Sequence, residues 1–131
     1  MRLLLDTHIA LWTATDSPRL PREVWKLVSS PEALLYVSVV SLWEVAIKFA
    51  LQRGAPGDMP ISAANLHRLL SRARCEILPV VPAHALELEG MPLLHGDPFD
   101  RLLVAQARAE PLRLITSDGR LGAYGAQIEV Y

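Results

Sequence analysis

The residues of this 131-residue chain with the clearest capacity for chemistry are four acids, Asp6, Glu44, Asp100 and Asp118. They are widely separated, and each stands where an apolar run ends or a helical pattern begins. Two carboxylates about 5 Å apart repel by roughly 3 kcal/mol at an effective dielectric near 20. A helix N-terminus offsets only about 0.3–1 kcal/mol of that. Four such groups brought together therefore call for raised pKa values or a bound cation. Hard oxygen ligands in a partly open site suit Mg²⁺, with Mn²⁺ as a substitute, and these ions hold phosphates. The chemistry that follows is phosphodiester hydrolysis, in which water activated by the cation attacks in line and no nucleophilic side chain is needed. Asp6 and Asp100 are the expected direct ligands, with Glu44 ligating or orienting water and Asp118 acting through water.

Short apolar runs alternate with segments of helical period, and these elements must position the acids. Arg2 to Leu5 reads as a buried strand that ends at Asp6, followed by a helix over His8 to Ala14 and a turn at Asp16-Ser17-Pro18. Pro21 fits the first position of a helix to about Ser30, and Leu34 to Ser38 is a second strand. Ser41 to Arg53 is the clearest helix, with Leu42, Val45, Ala46, Phe49 and Ala50 on one face and Gly54 as its stop. A Pro/Gly loop over Ala55 to Pro60 leads to a helix over Ser62 to Arg74, a third strand over Glu76 to Pro79 and a short helix over Pro82 to Gly90. Pro98 opens a helix to about Glu110, and Leu112 to Thr116 and Gln127 to Val130 read as the fourth and fifth strands. This alternation predicts one α/β domain around a mostly parallel sheet. In such a sheet the strand C-termini and the following helix N-termini share one edge, where ligands bind. All four acids fall there.

Each acid also has a purely structural explanation. Ser41-Leu42-Trp43-Glu44 matches a capping box, and Glu44 could pair with Lys48 one turn on. Asp97-Pro98-Phe99-Asp100 matches an N-cap, a proline and a first-turn acid. Asp6 could cap the next helix, and Asp118-Gly119 is an ordinary turn. Among their neighbours, His8, His95 and Arg101 could touch phosphate, while an ion pair serves Arg101 equally well. Thr116 and Ser117 could hydrogen-bond a ligating carboxylate. Trp12, Trp25 and Trp43 could stack on bases, but their helical surroundings favour core or interface.

The bulk composition narrows the class. A content of 13 basic and 14 acidic residues excludes binding of nucleic acid by broad phosphate neutralisation, so any such contact is local. The single cysteine, Cys75, excludes an internal disulfide framework and fits a reducing, cytoplasmic setting. No signal peptide or bilayer-length apolar run is visible, so no membrane association is expected. With 51% hydrophobic residues and a mean hydropathy of +0.24, some apolar surface should remain outside for a partner or a second copy.

The segments LLLDTHIALW (3–12), SLWEVAIKFALQRG (41–54), HGDPFDRLLVAQA (95–107) and LITSDGRL (114–121) resemble, in order and spacing, the PIN-domain family and within it the VapC-type toxins of toxin–antitoxin pairs. The resemblance covers essentially the whole chain, 1–131, as one PIN-like domain. It implies a three-layer α/β/α fold with a five-stranded parallel sheet, and Mg²⁺-dependent cleavage of RNA. It further implies a homodimer and inhibition by a cognate VapB-like antitoxin whose tail occupies the site. Residue by residue, Asp6 and Asp100 match the family's metal-site aspartates, Glu44 its helix glutamate and Asp118 its fourth acid.

Rival classes are weaker. A nuclease acting on DNA flaps would want insertions and basic tracts that are absent. An aspartyl phosphatase would want a second acid where His8 stands, and no Gly-rich phosphate loop occurs. A non-catalytic protein-binding scaffold would have no use for four retained acids.

Overall fold

A computed structural model of the chain describes all 131 residues, Met1–Tyr131. Its elements in chain order are β1 (Arg2–Leu5), α1 (Thr7–Ala14), α2 (Arg22–Val28), β2 (Leu34–Ser38), α3 (Val39–Ala50), α4 (Ala63–Arg72), β3 (Glu76–Leu78), α5 (Pro82–Glu89), α6 (Pro98–Ala109) and β4 (Arg113–Thr116). A 3₁₀ helix (Gly119–Tyr124) and β5 (Ile128–Val130) complete the chain. The five strands form one sheet in the order β3-β2-β1-β4-β5, and every pairing is parallel. The expected mostly parallel sheet is therefore entirely parallel.

A parallel sheet is covered on both faces, so its central strands are apolar on both. Leu3, Leu4 and Leu5 of β1 are all fully buried, yet they serve different cores. Leu3 and Leu5 pack with residues of α1, α2 and α4, including Ile9, Val24, Leu66 and Leu70. Leu4 points the other way, to Leu103 and Val104 of α6, Leu114 of β4 and Leu121 of the 3₁₀ helix. These are the expected three layers. Helix α3 joins them, giving Val45 to one core and Val40 to the other. It also packs against α6 through Trp43 and Phe99, whose rings meet edge-on at 5.1 Å.

Two local expectations are corrected. Helix α3 begins at Val39, not Ser41, because the Ser38 hydroxyl accepts the Val40 N–H at 3.0 Å and caps it. The Ser41–Glu44 capping box does not exist, and Glu44 lies in the second turn. The buried face also differs from the expected stripe: Val40, Ser41, Glu44 and Val45 face inward, while Ala46, Phe49 and Ala50 are exposed. The helix ends at Ala50, and Gly54 takes a positive φ of 74° in the following loop. The segment after Asp118 is a 3₁₀ helix rather than a simple turn. No helix is long and apolar enough to cross a membrane.

Two outcomes follow from this packing. Leu4→Ala should lower stability by about 2–5 kcal/mol, read as a shift in the denaturant midpoint, because a fully buried leucine leaves a cavity between rigid layers. Burial pushes the Cys75 thiol up to about 11. Alkylation of Cys75 at neutral pH should therefore be roughly 100-fold slower in the folded than in the unfolded chain, because only the thiolate reacts.

Candidate metal centre and nucleic-acid site

The chain reverses its direction of sheet growth between β1 and β4, which are neighbours although β2 and β3 follow β1 in sequence. The crevice outside the C-terminal ends of these two strands is the ligand position of such sheets. Asp6 leaves β1 there, and Thr116 and Asp118 leave β4. A pocket of about 150 Å³ at this place is lined by Asp6, Glu44, Asp97, Asp100 and Asp118 together with Thr7, His8, Lys48, Ser117 and Arg120. All four predicted acids are thus brought together, with Asp97 as a fifth carboxylate and no apolar side chain among them.

Each acid is held by a different device. Asp6 caps α1, its Oδ1 accepting the Ile9 N–H at 2.8 Å, while Oδ2 accepts the Thr116 hydroxyl across the β1–β4 pair. Burial nevertheless pushes the Asp6 carboxyl above the ordinary range, against the lowering effect of these bonds and of His8. Glu44 is buried, with Oε1 at 2.7 Å from the Thr7 hydroxyl and Oε2 at 2.6 Å from Lys48 Nζ. Ser41 Oγ lies 2.9 Å from the same Thr7 oxygen. Thr7 has a single proton, which goes to the carboxylate, so Ser41 completes the chain by donating its own.

Asp97 caps α6, accepting the N–H groups of Phe99 and Asp100 at 2.8 and 3.3 Å, as its place before Pro98 predicts. That cap sets Asp100 in the first turn. Its Oδ2 lies 2.9 Å from His95 Nε2, and its Oδ1 has no hydrogen bond. Burial raises the Asp100 carboxyl, the His95 bond opposes this, and the neighbouring charges of Asp97 and Glu44 add to the rise. A carboxylate only accepts, so His95 Nε2 carries the proton. His95 therefore acts as a donor that orients Asp100. Its ring is also 3.8 Å from Asp118 Oδ2, and its backbone N–H donates to the Tyr124 hydroxyl at 3.0 Å. Asp118 caps the 3₁₀ helix and is gripped by the Arg120 guanidinium at 3.0 and 2.8 Å, which holds its carboxyl below the usual range.

Sequence reasoning did not single out Thr7, Arg120 or Tyr124. Thr7 and Arg120 could have been found as polar neighbours of Asp6 and Asp118. Tyr124 had no local signal, because it meets His95 only in three dimensions. Arg101 neither lines the pocket nor forms an ion pair, and its Nε is buried without a partner.

The donor set fits a hard divalent cation. Five carboxylates face two cationic side chains, and these are committed: Lys48 to Glu44 and Arg120 to Asp118. Asp6, Asp97 and Asp100 are left without one; Asp97 caps α6, while Asp6 and Asp100 are partly desolvated. Oxygen donors with this charge excess suit Mg²⁺ or Mn²⁺. A tighter group, with ligand atoms within 4.8 Å of one another, is formed by His95, Asp100 and Asp118. Its histidine must surrender the bond to Asp100 before it can ligate, so the aspartates are the better donors.

A doubly covered parallel sheet with an acidic pocket at its switch point defines the class as a parallel α/β domain with a carboxylate-lined crevice at that edge. The sequence profile of the PIN domain matches residues 3–126, and the chain belongs to this family. It is 32% identical over 123 residues, 93% of this chain and 91% of the relative, to ribonuclease VapC22 of Mycobacterium tuberculosis. Its fold matches VapBC2 from Rickettsia felis bound to a promoter DNA fragment, with a TM-score of 0.69 and 14% identity over 100% of this chain and 98% of the other. It also matches a toxin–antitoxin complex from Klebsiella pneumoniae, with a TM-score of 0.61 and 15% identity over 98% and 99% of the two chains.

The raised carboxyls have a consequence for stability. Folded Asp6 and Asp100 bind protons more tightly than the unfolded chain does, so their contribution is greatest below the ordinary carboxylate range and is lost as pH rises through their elevated values. Asp118 has the opposite sign, but it lies near the surface and contributes little. In chelator, the melting temperature should therefore fall from mildly acidic to neutral pH. Asp6→Asn, which retains a capping oxygen, should reduce that slope. Stability that rises over this range in wild type would refute the burial account.

Proposed function

We propose that the protein is a metal-dependent endoribonuclease, the toxin of a type II, VapBC-like toxin–antitoxin pair, acting in the cytoplasm on RNA phosphodiester bonds. The observation that carries this reading is the acidic pocket in which Asp6 and Asp100 lack a cationic side chain. The full-length match to a ribonuclease VapC supports the reaction class, and the fold shared with toxin–antitoxin complexes supports the partner.

A Mg²⁺ ion, or Mn²⁺ in its place, supplies charge stabilisation and water activation when bound. Asp6 and Asp100 hold it. Thr116 and His95 orient those two carboxylates by donating to one oxygen of each. Glu44, with Oε2 on Lys48 Nζ and Oε1 on the Thr7 hydroxyl, fixes the Lys48 ammonium at the pocket wall. Asp118 does the same for the Arg120 guanidinium, whose planar fork suits a phosphate. Lys48 and Arg120 thus orient the scissile phosphate from the rim. The VapB-like antitoxin inhibits by covering this pocket. Trp43, Ile47, Phe49 and Leu51, exposed along α3 and just beyond its end, supply apolar surface for the antitoxin or for the second copy of a homodimer.

Purified protein incubated with labelled RNA should give discrete fragments in Mg²⁺ or Mn²⁺ and none in chelator. Asp6→Asn and Asp100→Asn should each reduce the rate at least about 100-fold, and Thr116→Val about 10–100-fold through weakened metal affinity. Cleavage that persists in chelator, or survives both aspartate changes, would sink the reading. Equal cutting of single-stranded DNA would restore the DNA-nuclease alternative.

A further inference from the structure

Beside the acidic pocket lies a second, open depression of about 490 Å³, walled by His8, Trp12, Arg19 and Ser117. His8 and Ser117 line both, so the two form one continuous groove. Their chemistry differs sharply: one is walled by carboxylates, the other by an indole, an imidazole, a hydroxyl and a guanidinium, with no acid. His8 and Trp12 stand one turn apart on α1, with ring centroids 5.8 Å apart and planes tilted by 37°. Trp12 is partly buried and packs against the apolar core on that side of the sheet, which holds it in place. After α1 the chain folds back, with the Ser17 N–H donating to the Trp12 carbonyl at 2.9 Å, and this return places Arg19 in the same depression. Arg19 is exposed, and its guanidinium makes no ion pair or hydrogen bond within the chain.

We propose that this depression binds the nucleotide next to the scissile phosphate of a single-stranded RNA, the base stacking on Trp12 and the flanking phosphate held by Arg19. The proposal takes its substrate from the nuclease reading above. An unpaired base offers a π face to any ordered aromatic ring, whereas a base inside a duplex does not. A guanidinium free of internal partners is available for a bidentate phosphate contact. A wall of Trp12, Arg19, His8 and Ser117 directly beside the acidic pocket, with Asp58 the one acid on the adjoining surface, matches the alternation of base and phosphate along one strand. Stacking tolerates every base, so this subsite selects unpaired RNA rather than a sequence.

The test is fluorescence anisotropy of a labelled, short unstructured RNA titrated with Asp100→Asn protein in Mg²⁺, alongside steady-state cleavage by wild type. In that background Trp12→Ala and Arg19→Ala should each weaken binding by about 5–100-fold, while Trp12→Phe stays within about threefold of the parent. Arg72→Ala, which removes an equal charge on α4 outside the groove, should change it less than about twofold. In the active background Trp12→Ala should raise KM with little effect on kcat. Circular dichroism checks folding, and should Trp12→Ala fail to fold, Arg19→Ala and Trp12→Phe still decide. RNA binding indifferent to Trp12 and Arg19 in a protein that cleaves RNA overturns the subsite alone. Binding that depends on both, in a protein that leaves RNA intact, upholds the subsite and overturns the nuclease. No RNA binding at all overturns both.

Discussion

Mutual repulsion among carboxylates crowded at one edge of a parallel sheet is the constraint around which the rest of this structure is arranged. Asp6 and Asp100 are carried into the same pocket as Glu44, Asp97 and Asp118, and burial alone already opposes their ionisation. The fold answers with donors rather than with apolar shielding. Backbone N–H groups at the starts of α1, α6 and the 3₁₀ helix point at Asp6, Asp97 and Asp118. Hydroxyls of Thr116 and Thr7, the ammonium of Lys48, the guanidinium of Arg120 and the imidazole of His95 take much of the remaining acceptor capacity. Asp6, Asp97 and Asp100 are left without a lysine or arginine partner, and burial raises the carboxyls of Asp6 and Asp100.

This arrangement needs a rigid frame, because a displacement of about 1 Å at a reacting centre is enough to cost much of its activity. Rigidity comes from two apolar layers that meet on a single strand. Leu3 and Leu5 lock β1 to one layer and Leu4 locks it to the other, so Asp6 leaves a strand with no freedom to shift. The Thr116–Asp6 bond then ties the ends of β1 and β4 together at the switch point. Helix α3 bridges the layers, so that Glu44 and Asp100 are fixed relative to each other by the contact of Trp43 with Phe99. Solved structures only 14 and 15% identical share this fold, as expected where packing pattern rather than residue identity specifies the layers.

The site residues divide by how far their partners lie in sequence. Caps are local: Asp97 with Phe99, Asp118 with Arg120 and Asp6 with Ile9 are each separated by two or three residues. The bonds that orient the acids are of both kinds, His95 with Asp100 lying only five residues apart. Thr116 reaches Asp6 across 110 positions and Thr7 reaches Glu44 across 37. The first set shapes each acid's approach to the edge, and the second decides how the acids face one another.

The sequence by itself determined the alternation of strands and helices, the parallel sheet, and the four acids at its C-terminal edge. Those features rest on hydrophobic period, prolines and capping residues, all local in their physics. Tertiary structure alone decided the rest. Ser38 rather than Ser41 begins α3, and packing against α1, α4 and α6 buries Glu44 and leaves Phe49 exposed, overriding the helix's own apolar stripe. His95, the orienting donor of Asp100, is also anchored through its backbone N–H by the hydroxyl of Tyr124, remote in sequence. Trp12 presents its indole to a groove rather than to the core alone because the chain after α1 turns back beneath it. Periodicity assigns a residue to a face, but only the packed neighbours decide what that face meets.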